Sequence, residues 1–238
     1  MKLNVLHLYP KEMNLYGDHG NVLAFKRRCE WRGIEVNIIE HEPGDKIPNN
    51  IDLIFGGGGQ DSGQGKIEED LQHIASQLKK LIENDVPCLV ICGLYQLFGK
   101  YFQTADGQKI IGTSILDIKT KAGPERLIGN IVINSYGFGE IVGYENHSGL
   151  TSLGSSIKPF GEVVTGAGNN GEDKTEGCRY KNCIGTYLHG PVLPKNPKLT
   201  DFFINKAIKH KTGEEVKLKD LDDNIEQKAH AVAVTRPR

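Results

Sequence analysis

Short apolar runs alternate with amphipathic segments in the first part of the chain. The runs at 3–9, 51–55 and 89–91 are typical of buried strands, and 34–40 alternates apolar and polar positions. One helix is predicted near 21–32. A second, strongly amphipathic helix has its apolar positions on one face: Ile67, Leu71, Ile74, Leu78 and Ile82. Strands alternating with helices predict an α/β fold with a mostly parallel central sheet and helices on both faces.

The second half of the chain has a different pattern. Glycine-rich turns separate short predicted strands at 115–118, 129–135, 140–144, 160–164 and 183–188. These runs predict antiparallel additions to the same sheet, with no boundary that indicates a second domain. A further helix is predicted near 199–210. We predict one domain over 1–218 and a C-terminal helix or tail, partly flexible, over 219–238.

A cysteine follows the apolar run at 89–91. The run stops at Cys92 and Gly93, and an apolar helical pattern begins at once. This strand–turn–helix order is typical of a nucleophile elbow, which exposes one side chain at the end of a strand. The N–H groups at the start of the helix would favour an anion there. However, most free cysteines are small buried hydrophobic residues, and this segment alone favours that structural interpretation of Cys92.

Four consecutive glycines, at 56–59, follow the strand at 51–55. The loop lacks the spacing and the Lys-Ser or Lys-Thr pair of a Walker A phosphate loop, and it matches the dinucleotide fingerprint poorly. Backbone N–H groups of contiguous glycines can closely approach a reacting atom. The loop is therefore either one wall of an oxyanion hole or a plain flexible connection.

A cysteine nucleophile needs a base, and the chain has eight histidines. His189 is the best candidate because it directly follows the predicted strand at 183–188. It thus lies at a carboxyl end, as the glycine loop and Cys92 do. His147, in YENHSGL, is the second candidate.

Composition mainly excludes classes of function. The 29 basic and 30 acidic residues nearly cancel, so charge gives no reason to expect nucleic acid as a partner. No apolar run is long enough to span a bilayer, and the opening MKLNVLHLYP is strand-like rather than a signal peptide. The five cysteines are expected to be reduced thiols in the cytoplasm. Their spacing predicts no metal site.

Several motifs, in order, resemble class I glutamine amidotransferases. They are the glycines in IFGGGGQD, the elbow VICGLYQLFG, and the segments VGYENHSG and GTYLHGPVLPKNP, the last two resembling the cobyric-acid-synthase-like branch. The opening LYPKEMNLYGDHGN and the run RLIGNIVI are most similar to the GatD-type glutaminase subunits of lipid II isoglutaminyl synthases. The resemblance covers nearly the whole chain and implies a flavodoxin-like fold.

The resemblance also implies roles for individual residues. Cys92 matches the nucleophile and His189 the general base. The positions implied to hold the glutamine substrate or its oxyanion are Gln96, Arg126, Gly58 and Gly93. An arginine suits an α-carboxylate because its planar guanidinium can donate two parallel hydrogen bonds.

The implied activity is hydrolysis of L-glutamine to glutamate and ammonia. A Mur-ligase-like, MurT-type partner in a heterodimer would use ATP, Mg²⁺ and the ammonia to amidate D-glutamate of the lipid II stem peptide in peptidoglycan synthesis. No cofactor is expected on this chain. The expected location is cytoplasmic, or the inner membrane face through the partner's lipid-linked substrate. The alternatives are a non-catalytic scaffold, a subunit for a cobyric-acid-type acceptor, or another Cys–His hydrolase.

The sequence departs from the family pattern at the elbow and at the acid of the triad. Glycines commonly flank the nucleophile two residues before and after, where this chain has Val90 and Leu94. The usual His-x-Glu is absent because Pro191 stands two residues after His189. Three alternatives follow: a Cys–His dyad, an acid from elsewhere in the chain, or an acid from the partner. We favour the partner, which predicts that the lone chain is a poor glutaminase.

Overall fold

The computed structural model describes residues 1–237. Its strands are β1 (Lys2–Leu8), β2 (Glu35–His41), β3 (Leu53–Gly56), β4 (Cys88–Ile91), β5 (Tyr101–Gln103), β6 (Lys109–Ile111), β7 (Ile118–Ser135), β8 (Gly139–Leu153), β9 (Gly161–Thr165), β10 (Thr175–Glu176), β11 (Cys178–Tyr180) and β12 (Cys183–Thr186). Its helices are α1 (His19–Glu30), α2 (Asp61–Glu83), α3 (Gly93–Leu97), α4 (Pro197–Thr212) and α5 (Asn224–Val234).

The first sheet confirms the predicted mostly parallel architecture. Its strand order is β11-β12-β4-β3-β1-β2, and every pairing is parallel except that of β11 with β12. Without β11, this is the flavodoxin-like order. Crossovers between parallel strands are right-handed. The connection from β1 to β2 moves toward one edge of the sheet, and the connection from β3 to β4 moves toward the other edge. The helices in these two connections, α1 and α2, therefore cover opposite faces of the sheet. The carboxyl ends of β1, β3, β4 and β12 therefore meet at one edge.

The prediction that the later strands are antiparallel additions to the same sheet is wrong. Of the predicted runs, only 183–188 joins the first sheet, as β12, and it pairs with β4 in parallel. The others contribute to a second sheet, with the path β10-β9-β7-β5-β6 and with β8 paired to β7. β11 occupies the outer edge of β12, so the other strands pair with one another. The largest element of this sheet is the β7–β8 hairpin, whose register shifts between Ala122 and Leu127.

The predicted tail helix is present and packs on the second sheet. Asn130 donates a side-chain hydrogen bond to the carbonyl of Ala233 in α5, at 2.9 Å. Val132 and Val142 of the hairpin bury Ala233. The domain boundary at 218/219 and the partial flexibility of 219–238 stay predictions, and position 238 lies outside the described residues. Within residues 1–237, no helix combines the length and apolar character needed to cross a membrane.

Candidate active site

Cys92 lies at a strained turn between β4 and α3. Its φ of 49° and ψ of −103° are sparsely populated by residues other than glycine. This is the backbone of a nucleophile elbow, with the helix beginning at Gly93. The chain accommodates Leu94 after the elbow because Gly56 lies against it, where a Cβ would clash with the Leu94 side chain. Gly56 of β3 thus provides the space that a glycine after the nucleophile commonly leaves.

His189 lies beyond β12, at the same edge as the elbow. Its backbone exchanges two hydrogen bonds with Tyr144 of β8, at 2.8 and 3.1 Å, so the second sheet fixes its position. Both carboxylate oxygens of Asp18 lie 3.2 Å from Nδ1 of His189. Both side chains of this pair are enclosed, since Asp18 is 4% and His189 1% exposed. A buried carboxylate on Nδ1 orients the ring so that Nε2 faces the cysteine.

Asp18 is the candidate for the acid whose source the sequence left open. It stands between β1 and α1, directly before the helix, and its side chain makes no cap hydrogen bond. Its Oδ2 instead accepts a hydrogen bond from the N–H of Gly58, at 2.8 Å. The structure therefore supports an acid from elsewhere in the chain rather than the favoured one, an acid from the partner. The expectation that the isolated chain is a poor glutaminase rests on the lack of this acid, and Asp18 removes that reason.

Cys92, His189 and Asp18 converge on Gly58. A Cβ built on this glycine would lie 2.8 Å from Cε1 of His189, 2.9 Å from Cβ of Cys92 and 3.4 Å from Oδ2 of Asp18. The glycine loop therefore passes through the point where the three side chains meet. Only a residue without a side chain fits there.

The electrostatics of the site favour a protonated His189. Burial lowers the pKa of His189, but the negative charges at Cys92 and Asp18 outweigh it and raise that pKa to about 10. Within residues 1–237, Nε2 of His189 has no well-aligned hydrogen-bond partner, although it interacts with Cys92. Catalytic hydrogen bonds are often loose without substrate. The arrangement suits an imidazolium beside a cysteine nucleophile.

The oxyanion prediction needs one correction. The N–H of Gly58 is engaged by Asp18, so it is unavailable to a substrate oxyanion in this structure. Within residues 1–237, the N–H groups of Gly59 and Gly93 have no hydrogen-bond partner. A Cβ built on Gly93 would lie 3.0 Å from the nitrogen of Gly59, so the two donors are neighbours. Gly59, one residue later in the loop, replaces Gly58 as the candidate donor beside Gly93.

A cleft of about 520 Å³ opens above Cys92, and Arg126 lines it. This volume is typical of sites for small molecules. The guanidinium of Arg126 donates to Oδ1 of Asn146 at 2.8 and 3.1 Å and to the hydroxyl of Tyr16 at 2.9 Å. The Tyr16 ring also packs on His189, with centroids 4.6 Å apart. Tyr16 therefore links the cation in the cleft to the candidate base.

Gln96 is buried on the cleft floor, within a chain of polar side chains. It accepts a hydrogen bond from Gln64 at 3.1 Å and donates one to the hydroxyl of Tyr187 at 3.2 Å. His147, the second candidate base, stacks on Tyr187 with centroids 3.5 Å apart, and its Nδ1 lies 2.8 Å from the carbonyl oxygen of Gly149. These contacts give His147 a structural place in the cleft wall rather than a place beside Cys92.

Sequence reasoning missed several residues of this site: Asp18, Tyr16, Gln64 and Asn146. Within the glycine loop at 56–59, it selected Gly58 rather than Gly59 as the oxyanion donor. The available signal was position, because Tyr16 and Asp18 lie in the polar segment directly after the first strand. Such segments at carboxyl ends form ligand sites in this kind of sheet. Among residues 1–237, no group of three or more His, Cys, Asp or Glu side chains is arranged to hold a metal ion.

The comparisons with known proteins agree with this geometry. Residues 4–197 match the model of the CobB/CobQ-like glutamine amidotransferase domain. The chain is 42% identical to the subunit GatD of lipid II isoglutaminyl synthase (glutamine-hydrolyzing) from Staphylococcus aureus, over 99% of this chain and 96% of that protein. It is 40% identical to the corresponding subunit from Streptococcus pneumoniae, over 95% and 88%.

A solved structure supports the fold. A glutamine amidotransferase from Thermotoga maritima superposes with a TM-score of 0.56 at 14% identity, covering 97% of this chain and 93% of that one. The family match spans most of the chain, and the two relatives cover nearly all of it. The chain belongs to the CobB/CobQ-like glutamine amidotransferase family.

Proposed function

We propose that this chain is the glutaminase subunit of a lipid II isoglutaminyl synthase and that it hydrolyses L-glutamine through Cys92. The single observation that carries the chemistry is the convergence of Cys92, His189 and Asp18 on Gly58. The acceptor is inferred from the two relatives, which are GatD subunits of lipid II isoglutaminyl synthases and share about two fifths of their residues with this chain.

The first half of the reaction forms a thioester. The Cys92 thiolate attacks the side-chain carbonyl carbon of glutamine, and the N–H groups of Gly59 and Gly93 stabilise the oxyanion. One such donor is typically worth about 10²- to 10³-fold in rate. The imidazolium of His189 gives its Nε2 proton to the leaving nitrogen, and ammonia departs as the tetrahedral intermediate collapses.

The second half regenerates the enzyme. His189, now neutral, takes a proton from water, and the hydroxide formed attacks the γ-glutamyl thioester. Collapse releases glutamate and returns the thiolate beside the imidazolium. Asp18 stays ionised throughout, holding the Nδ1 proton and stabilising the charged ring. Arg126 holds the α-carboxylate of the substrate at the cleft wall.

The ligation half takes place on a partner. We propose a Mur-ligase-like, MurT-type subunit that binds ATP and Mg²⁺, receives the ammonia and amidates D-glutamate of the lipid II stem peptide. This chain needs no cofactor for the glutaminase half, since the nucleophile, the base and the oxyanion donors are its own groups. We place the complex in the cytoplasm, at the inner membrane face when the lipid-linked substrate is bound.

The test is amidation of lipid II by the co-expressed complex, with ATP and either glutamine or ammonium chloride as the nitrogen source. The wild-type complex is expected to use both. The Cys92→Ala complex is expected to use ammonium chloride only. The substitution abolishes the release of ammonia from glutamine, whereas ammonia from the salt reaches the ligase without that step. Glutamate release without lipid II amidation would contradict the proposed acceptor and favour another one, such as a cobyric-acid-type substrate. Glutamine-dependent amidation by Cys92→Ala would contradict the enzymatic role of this chain.

A further inference from the structure

One buried polar atom in the cleft is not used by the mechanism above. Gln64 is 2% exposed and lies in the first turns of α2, where it lines the same cleft as Cys92. Among residues 1–237, its side-chain Oε1 has no hydrogen-bond partner. Leaving a buried acceptor unpaired is unfavourable, so such an atom calls for a partner that is not part of the chain.

In the structure, the Gln64 amide is oriented with its nitrogen toward Gln96. Its Nε2 donates to Oε1 of Gln96, at 3.1 Å, and Gln96 in turn donates to the hydroxyl of Tyr187. That hydroxyl continues to Thr151 at 2.7 Å, and Thr151 to Thr120 at 2.7 Å. This buried chain occupies the nitrogen of Gln64. The oxygen is therefore the atom left for a ligand.

The Gln64 amide also lies close to the reacting centre. A Cβ built on Gly93, the residue after the nucleophile, would lie 3.4 Å from Nε2 of Gln64. The same Cβ would lie 3.0 Å from the nitrogen of Gly59, the other candidate oxyanion donor. Gln64 thus borders the part of the cleft where the γ-group of a substrate must sit when its carbonyl carbon reaches Cys92.

We propose that Oε1 of Gln64 accepts a hydrogen bond from the carboxamide N–H of bound glutamine and so selects an amide over other γ-substituents. The inference rests on the proposed glutaminase function. Glutamine offers two N–H donors at this end, whereas the γ-carboxylate of the product glutamate offers none and would face a carbonyl oxygen. A site built to bond an N–H group discriminates strongly against analogues that lack it, because its own buried acceptor is then left unpaired.

The test compares two ligands that differ at this group alone. L-glutamine and the γ-methyl ester of L-glutamate share the α-ammonium and α-carboxylate, but the ester has no N–H on its γ-group. Binding is measured by calorimetry on the co-expressed complex carrying Cys92→Ala, which prevents turnover. The complex that also carries Gln64→Met is compared with the complex that keeps Gln64. The matched control carries Gln72→Met, because Gln72 is exposed and lies eight residues later on α2.

The measured quantity is the ratio of the ester Kd to the glutamine Kd. We expect Gln64→Met to lower this ratio about tenfold, as loss of one hydrogen bond predicts, and Gln72→Met to leave it unchanged. An equal loss of affinity for both ligands would overturn the proposal, because it would assign Gln64 to the α-ammonium or to the fold. An unchanged ratio with unchanged affinities would also overturn it. If the parent complex bound no glutamine at all, the proposed function itself would fail.

Discussion

Asp18 and His189 stand 171 positions apart in the chain, yet both carboxylate oxygens of Asp18 lie 3.2 Å from Nδ1 of His189. The contact joins the carboxyl end of the first strand of the parallel sheet to that of the last. The contact places a carboxylate beside the candidate base, although Pro191 stands at the position after His189 where the family usually has a glutamate. The N–H of Gly58 donates a hydrogen bond to Oδ2 of the same carboxylate, so both Gly58 and His189 hold the Asp18 side chain in place.

Removing the charge of Asp18 tests that contact. Asp18→Asn keeps the size of the side chain but allows the wrong ring tautomer and takes away the charge that supports the imidazolium. We expect kcat for glutamine to fall about 10²- to 10⁴-fold. We also expect alkylation of Cys92 by N-ethylmaleimide to require a higher pH, because the pKa of His189 falls when the carboxylate is lost. Asp220→Asn, at an exposed position, is the control and should change neither value.

Gly58 offers a steric test of the convergence. In Gly58→Ala, the new Cβ would lie under 3 Å from both His189 and Cys92, so at least one of them must move. A displacement of that size is expected to lower kcat/KM at least about 10²-fold. Gly65→Ala is the matched control, because Gly65 lies in α2 with open space around its Cβ position. Full activity in Gly58→Ala would show that the three side chains do not act together.

Arg126→Met tests recognition of the substrate's α-carboxylate. Methionine retains much of the side-chain length but cannot donate the two charge-assisted hydrogen bonds. Bonds to a charged group are worth about 1.5–3 kcal/mol, so KM for glutamine should rise about ten- to a hundredfold with a smaller change in kcat. Arg27→Met, on the exposed side of α1, is the control. A fall in kcat at constant KM would assign Arg126 to the reaction step instead.

A buried carboxyl beneath the site predicts how stability depends on pH. Glu176 is fully buried, and its Oε1 accepts hydrogen bonds from the hydroxyl of Thr186 at 2.6 Å and the N–H of Tyr187 at 2.7 Å. Burial is the main cause that raises the pKa of Glu176 from 4.5 to about 7. Because the folded pKa is raised, the neutral carboxyl stabilises the fold fully below about pH 4.5, and that contribution is lost as pH rises through about 7.

Glu176→Gln replaces the neutral acid by an amide that does not titrate. The difference in Tm, variant minus wild type, should therefore become more positive between about pH 5 and about pH 8, whether it is positive or negative at the lower pH. Thermal unfolding across that range measures the difference, with the exposed Glu214→Gln as control. A constant difference in Tm would mean that Glu176 has the same protonation state in the folded and unfolded chain.

The sequence predicted the parallel half of the fold well because its strands and helices bury one regular face each. The elbow at Cys92 and the candidate base His189 could be predicted for the same reason, since each directly follows a recognisable strand. The separate second sheet could not be predicted, because the periodicity of a strand does not say which strand it pairs with. Asp18 was missed because the pairing of residues 171 apart is set by the whole sheet. Locally, Asp18 is indistinguishable from a helix cap.

Detection of the γ-glutamyl thioester on Cys92 is the most direct test of the proposed mechanism. The complex is mixed with isotopically labelled glutamine, quenched with acid within the first turnover and digested for mass spectrometry of the Cys92 peptide. We expect a labelled glutamyl adduct on Cys92 in the wild type. We expect no adduct and no glutamate release in Cys92→Ala. Glutamine hydrolysis that persists in Cys92→Ala, with no adduct on the wild-type cysteine, would contradict the proposed mechanism.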